Sequence, residues 1–163
     1  MMPAIPAIFV LDTSYLVELF KVPGFAQHPE KVKERYEIAI HNNSRFYVPL
    51  PCIFEFANHI AHVSDGNTRT DLGRKFFGTV KSCVEDEHPW IITPSTGIEV
   101  LPELARAFSE QYVIQEIGLT DTFIIQEADR LKKEKSHFKV RIWTKDKGLK
   151  AYEPDTEENP FVG

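Results

Sequence analysis

Four carboxylates stand where apolar or amphipathic runs change their period, and their type and placement suit the binding of a hard cation. Asp12 follows "IFVL", and Glu55 lies in the first turns of the run after "RFYVPL". Asp121 comes just after Thr120 at the head of "LTDTFIIQEADRLKKEK", and Asp146 sits two residues beyond "KVRIWT". Several carboxylates brought within a few ångströms repel one another and lose water, so together they need protons or a cation. An all-oxygen set of this kind suits Mg²⁺ or Mn²⁺. Each acid also has an ordinary use. Asp12 and Asp121 can cap helices, worth about 0.5–2 kcal/mol apiece; Asp146 can serve a turn, and Glu55 a solvated helix position.

The elements that would have to position these residues follow from periodicity. "AIFVL" (7–11) is a continuous apolar run, expected as a strand buried on both faces, and "TSYLVELF" after it is expected as a helix ending near Pro23-Gly24. Helical patterns cover 29–43, with Pro29 at the start, and 51–63, with Pro51 as a first helical residue. Charged helical sequence follows over 68–87. A single helix is expected over 98–118, with Pro102 near its first turn or as a kink and Gly118 as its cap. In 119–135, Ile124, Ala128 and Leu131 share one face. Strands are expected at 45–50, 90–93 and 138–144. Short strands alternating with helices predict an α/β domain, its central sheet mainly parallel with four to five short strands flanked by helices. At 163 residues, with no internal repeat, residues 1–163 are expected as one domain with its core over 8–150 and an acidic tail over 151–163. In an open parallel sheet, positions past the carboxyl ends of strands gather along one edge, which is how four acids on four segments can meet.

Charge is uneven. Residues 1–129 carry 10 Lys+Arg against 18 Asp+Glu, residues 130–150 carry 9 against 2, and the last 13 residues hold four acids and no base. The basic segment is either a surface that tracks a polyanion or a solvated helix face. Cys52 and Cys83 lie far apart without metal-type spacing and are expected as buried free thiols. No apolar run approaches the roughly 20 residues that span a bilayer, and the start lacks a basic region followed by a long apolar one, so a cytoplasmic protein without membrane attachment is expected.

In order along the chain, "VLDTS", "PLPCIFEFAN", "GLTDTFIIQEA" and "IWTKD" resemble the motifs of PIN-domain nucleases, in particular the small VapC-like toxins of toxin–antitoxin pairs. The resemblance spans residues 8 to about 150. It implies a PIN-like α/β/α sandwich and a Mg²⁺- or Mn²⁺-dependent ribonuclease hydrolysing RNA phosphodiester bonds, with an antitoxin or a second copy as partners. The family's acidic positions carry over onto Asp12, Glu55, Asp121 and Asp146, with Asp12, Asp121 and Asp146 as metal ligands. Its accessory hydroxyls fall on Ser14 and Thr144. Lys145 and Lys147, flanking Asp146, are the candidates for phosphate contact, and Tyr15, Phe123 and Trp143 are either base-stacking or packing aromatics. Two features depart from the family: the stretch between Glu55 and Asp121 is long, and "KGLKAYEPDTEENPFVG" is acidic where relatives carry a last strand. Competing readings are weaker. Glu55, His59 and His62 share a helix face and can be drawn as a Zn²⁺ or Fe²⁺ trio, but they flank an apolar stripe. An Asp-x-Asp phosphatase needs an acid where Ser14 stands, and a receiver domain needs acids bunched before its first helix. The non-enzyme alternative is a PIN-like module that binds RNA or protein without cutting.

Overall fold

The computed structural model describes residues 6–158. Its core is a four-stranded, all-parallel sheet in the order β3-β2-β1-β4. The strands are β1 (Ala7–Leu11), β2 (Arg45–Pro49), β3 (Ile91–Thr93) and β4 (Lys139–Trp143). Every residue of β1 is buried, as a continuous apolar run flanked by strands on both sides and covered on both faces requires. Ile8, Val10 and Leu11 are fully enclosed, each contributing about 1.5–3 kcal/mol by burial. The aromatic core continues across the sheet, with the Phe9 and Trp143 ring centroids 4.0 Å apart and Tyr15 5.3 Å from Trp143. Tyr15, Phe123 and Trp143 are all buried, which makes them packing residues.

The helices are α1 (Thr13–Leu19), α2 (Pro29–His41), α3 (Leu50–Ala61), α4 (Gly66–Asp86), α5 (Leu101–Ala107), α6 (Leu119–Glu134) and α7 (Lys147–Lys150). α1 packs on α2 and α3, and α3 on α4; α6 lies against β1, β2 and β4 and carries α5. The fold is α/β with a parallel central sheet flanked by helices, the architecture of a PIN-like sandwich. Among the described residues no helix is long and apolar enough to cross a membrane.

Three details differ from the sequence pattern. The helix after β1 stops at Leu19, before Pro23-Gly24, because Lys21 takes a left-handed conformation (φ 52°) and breaks the ladder. The single helix expected over 98–118 is broken into a 3₁₀ turn (Ile98–Val100), α5, a wide π turn (Phe108–Tyr112) and a second 3₁₀ turn (Val113–Gln115), closed by Glu116 at φ 61°. Pro102 sits in the first turn of α5, where its missing N–H costs nothing, and does not kink a longer helix. The third difference is at the far edge. The acidic segment after α7 folds back along β4 and attaches by carboxylates. Val140 N–H donates to Asp155 Oδ2 (2.8 Å), Ile142 N–H to Glu153 Oε2 (2.9 Å) and Asp155 N–H to Val140 O (2.9 Å). The outward N–H groups of an edge strand are thereby satisfied without a fifth strand among the described residues.

Candidate functional site

The strand order places the chain's reversal between β1 and β4: β2 and β3 build outward from one side of β1, and β4 adds on the other. The crevice at the carboxyl ends of those two strands is where open α/β sheets form sites. Asp12 follows β1 there, Thr144 follows β4, and Asp12 N–H donates across to Trp143 O (3.0 Å).

Asp12 is both the N-cap of α1 and the centre of a polar knot. Its Oδ1 accepts from Thr13 N–H (2.7 Å); its Oδ2 accepts from the Ser14 hydroxyl (3.1 Å) and the Thr144 hydroxyl (2.8 Å). Burial pushes the Asp12 carboxyl up, these three donors pull it back, and Glu55 adds repulsion; the net shift is upward. The two accessory hydroxyls therefore meet on one carboxylate oxygen. Glu55 lies on the exposed side of α3, and its Oε2 accepts from the Thr13 hydroxyl (2.9 Å), which ties α3 to α1. Thr13 is a site residue that the sequence reading missed; its position beside Ser14 in "DTS", one hydroxyl for each carboxylate, is the signal that was there.

Asp146 is exposed and caps α7, with Oδ1 accepting from Gly148 N–H (2.8 Å) and Leu149 N–H (3.4 Å). Its own N–H donates to Thr144 Oγ1 (3.0 Å), so Thr144 bridges Asp12 and Asp146. Position 148 is tight, since a Cβ there would meet Asp146 Oδ1 at 3.3 Å.

Asp121 does not cap α6. Gly118 does, and the Thr122 hydroxyl donates back to Gly118 O (2.8 Å). The Asp121 side chain has no hydrogen bond or ion pair among the described residues, and it lies half-buried in the first turn. Its pKa rises from 3.8 to about 6, by burial first and then by the negative charges of Asp12, Asp146 and Glu55. A helix N-terminus favours a carboxylate by roughly 0.3–1 kcal/mol, and here that is outweighed. The charges of the other three sequence-predicted acids thus all reach Asp121, and that of Glu55 also reaches Asp12. As they stand they share a field, not a ligand sphere: among the described residues no three His, Cys, Asp or Glu side chains are gathered into a ready-made metal cage. Three of the four are held by protein donors, and Asp121 is the one left unclaimed.

The two flanking lysines separate. Lys147 is exposed beside Asp146. Lys145 turns inward, its ammonium against Glu18 Oε1 and its N–H donating to the Ser14 hydroxyl (3.0 Å). Glu18 is a fully buried carboxylate that the sequence reading passed over. Of the nine bases in residues 130–150, Arg130, Lys132, Arg141, Lys145 and Lys150 are in ion pairs, four of the five with Glu127, Glu134 or tail acids. The alternative trio is not assembled, since Glu55 is bonded to Thr13, His59 packs on Phe25 (4.2 Å) and His62 Nδ1 lies 2.6 Å from Asn58 O. Cys52 and Cys83 are buried free thiols, Cys52 held well above its usual pKa by burial and then by Asp12.

No protein-family model matches the chain, and no curated protein matches it.

Proposed function

We propose that the chain is a metal-dependent endoribonuclease of PIN type, with Asp12, Asp121 and Asp146 holding Mg²⁺ or Mn²⁺ and Glu55 completing the acidic site. The observation that carries this reading is the Asp121 carboxyl. It is unclaimed by any described donor, half-buried in the first turn of α6, and raised to about 6 by burial first and then by the charges of Asp12, Asp146 and Glu55. Such a group wants a counter-charge that the described residues do not supply, and oxygen-only donors on four separate segments fit a hard divalent ion. When bound, the ion lowers the pKa of water and offsets charge on the scissile phosphate.

The chain's own residues do the positioning. The Ser14 and Thr144 hydroxyls fix the Asp12 carboxylate, leaving little rotational freedom to lose on binding. Thr144 also sets the turn that carries Asp146. Thr13 orients Glu55, and on this reading the exposed Glu55 carboxylate would help orient an attacking water. Among the described residues, Lys147 is the exposed cation beside Asp146 that would meet an RNA phosphate. A toxin role, with an antitoxin or a second copy as partner, belongs to the same reading and rests on the motif resemblance.

The test is incubation of the full chain with labelled single-stranded RNA, structured RNA and DNA in Mn²⁺, Mg²⁺ or EDTA, alongside Asp121→Asn. Cleavage of RNA that requires metal and is lost in the variant supports the reading. Metal binding with no RNA cleavage and with DNA cut instead changes the substrate. Absence of both metal binding and cleavage leaves a binding module.

A further inference from the structure

Resting on that reading, we propose that Glu18 and Lys145 are positioning residues for the cation site: their enclosed ion pair fixes the segment after β4, and with it Thr144 and Asp146, against the helix that carries Asp12.

Glu18 has no exposed surface, and the Lys145 side chain is only 16% exposed. Besides the Lys145 ammonium, the Glu18 carboxylate accepts from Gln27 N–H (2.8 Å, Oε1) and His28 N–H (2.9 Å, Oε2). Burial works to raise its pKa, yet the ammonium and the two N–H groups together hold it below the usual value. Three donors converge on one acceptor-only group. A glutamine has one carbonyl oxygen and would aim its NH₂ at an N–H or at the ammonium, so the site is built for a carboxylate.

The consequence lies in residues 144–146. Thr144 Oγ1 reaches Asp12 Oδ2, Lys145 N–H reaches Ser14 Oγ, and Lys145 Nζ reaches Glu18. Thr144 and Lys145 together therefore grip α1 at its N-terminal end and again near its last turn, along a helix of roughly 10 Å for seven residues. Asp146, next in the chain, is delivered to the acids by a segment clamped at two points. The ammonium of Lys145 is thereby committed to the interior and is not a phosphate contact.

A long-range field would be the simpler account, and the two accounts differ in sign. Removing a positive charge near an acidic site strengthens cation binding, whereas removing a negative one weakens it. Positioning predicts that both substitutions weaken it. Mn²⁺ affinity of the full chain is measured by calorimetry at pH 7.5 for the wild type, Glu18→Gln, Lys145→Met and Glu18→Asp. Lys132→Met serves as a control, because it loses an ion pair with Asp155 at the far end of α6. Glu18→Gln and Lys145→Met are expected to bind 10- to 100-fold more weakly while remaining folded by circular dichroism. Lys132→Met is expected to lower the melting temperature and leave affinity within twofold. Glu18→Asp keeps the charge and shortens the reach, so it too is expected to weaken binding, and it carries the comparison should Lys145→Met fail to fold. Lys145→Met binding as tightly as wild type or tighter, or Glu18→Asp matching wild type, overturns the positioning role and leaves the nuclease reading intact. A wild-type chain that binds no Mn²⁺ removes the cation site and this role with it.

Discussion

Asp121→Asn should make the metal-free protein more stable at neutral pH, although it removes a residue proposed for the site. The Asp121 side chain has no hydrogen bond or ion pair to lose among the described residues, and its carboxyl is raised from 3.8 to about 6. Below about pH 4 the group is protonated folded and unfolded, and the substitution should change little. Between 3.8 and about 6 the folded state keeps a proton that the unfolded chain releases, so stability falls as pH rises through that window. Above about 6 the whole penalty is present. A shift of about two units corresponds to ~3 kcal/mol; the half-open position screens part of it, leaving about 1–2 kcal/mol. For a chain of this length that is a rise of roughly 2–8 °C in melting temperature. Urea unfolding in EDTA at pH 4, 6 and 8 measures it, with the gain expected at pH 8 and nearly absent at pH 4. Saturating Mn²⁺ should reverse the order, since the wild type gains binding free energy that the variant lacks. A variant no more stable than wild type at pH 8 in EDTA, or a gain that does not vary with pH, would refute the argument that Asp121 is held ionised against its preference.

Other consequences can be measured on the same protein. Thr144→Val deletes the donor to Asp12 Oδ2 and the acceptor for Asp146 N–H in a fully buried position; a loss of about 1–3 kcal/mol by urea unfolding is expected, with weaker Mn²⁺ binding. Glu157→Ala strips the acceptor from Trp143 Nε1 (2.8 Å) and the counter-charge from Arg35 (2.6 Å) and Lys150 (3.3 Å). It should cost about 2–3 kcal/mol and red-shift tryptophan emission, because the pairs are mostly shielded from water. Asp155 is held below 3.8: burial works to raise it, but the Lys132 ammonium and Val140 N–H outweigh burial. Its contribution is present above that value and is lost as pH falls through the lower folded value. Amide exchange at Val140, which donates to Asp155, should therefore lose protection on acidification before the β1 amides do.

What was legible in the sequence is what local chemistry decides. "AIFVL" has no polar alternation, so it had to be a central strand, and the acids after β1 and β4 landed on the sheet edge that parallel strands create. Strand order is another matter. The placement of β4 beside β1 comes from pairing across more than 130 residues, and nothing local in "KVRIW" states its neighbour. The broken stretch after β3 misled because its apolar spacing is helical throughout, while Glu116 in a left-handed conformation depends on packing around Ile117 and Tyr112. Glu18 was hidden for a comparable reason. An acid on a helix is ordinarily solvated, but most of α1 is buried, and a charged residue in "SYLVELF" had little solvent to reach.

The charge blocks hold the sharper lesson. Nine bases in 130–150 look like a polyanion surface when counted alone, yet the next residues along the chain supply Glu153, Asp155 and Glu157. A short α7 turns the chain back, and those carboxylates meet Lys132, Arg141 and Lys150 while also receiving the N–H groups of β4 and the Trp143 ring. Opposite blocks adjacent in sequence neutralise each other at little entropic cost, since the loop to be closed is short. Three of the nine bases are therefore half of an edge seal, Arg130 and Lys145 are paired elsewhere, and among the described residues Lys147 is the exposed base beside Asp146. On the proposed nuclease reading, a phosphate entering this crevice would meet four carboxylates and few bases. The divalent ion would then supply most of the attraction, so binding of uncleavable RNA should depend on metal far more steeply than on the lysines.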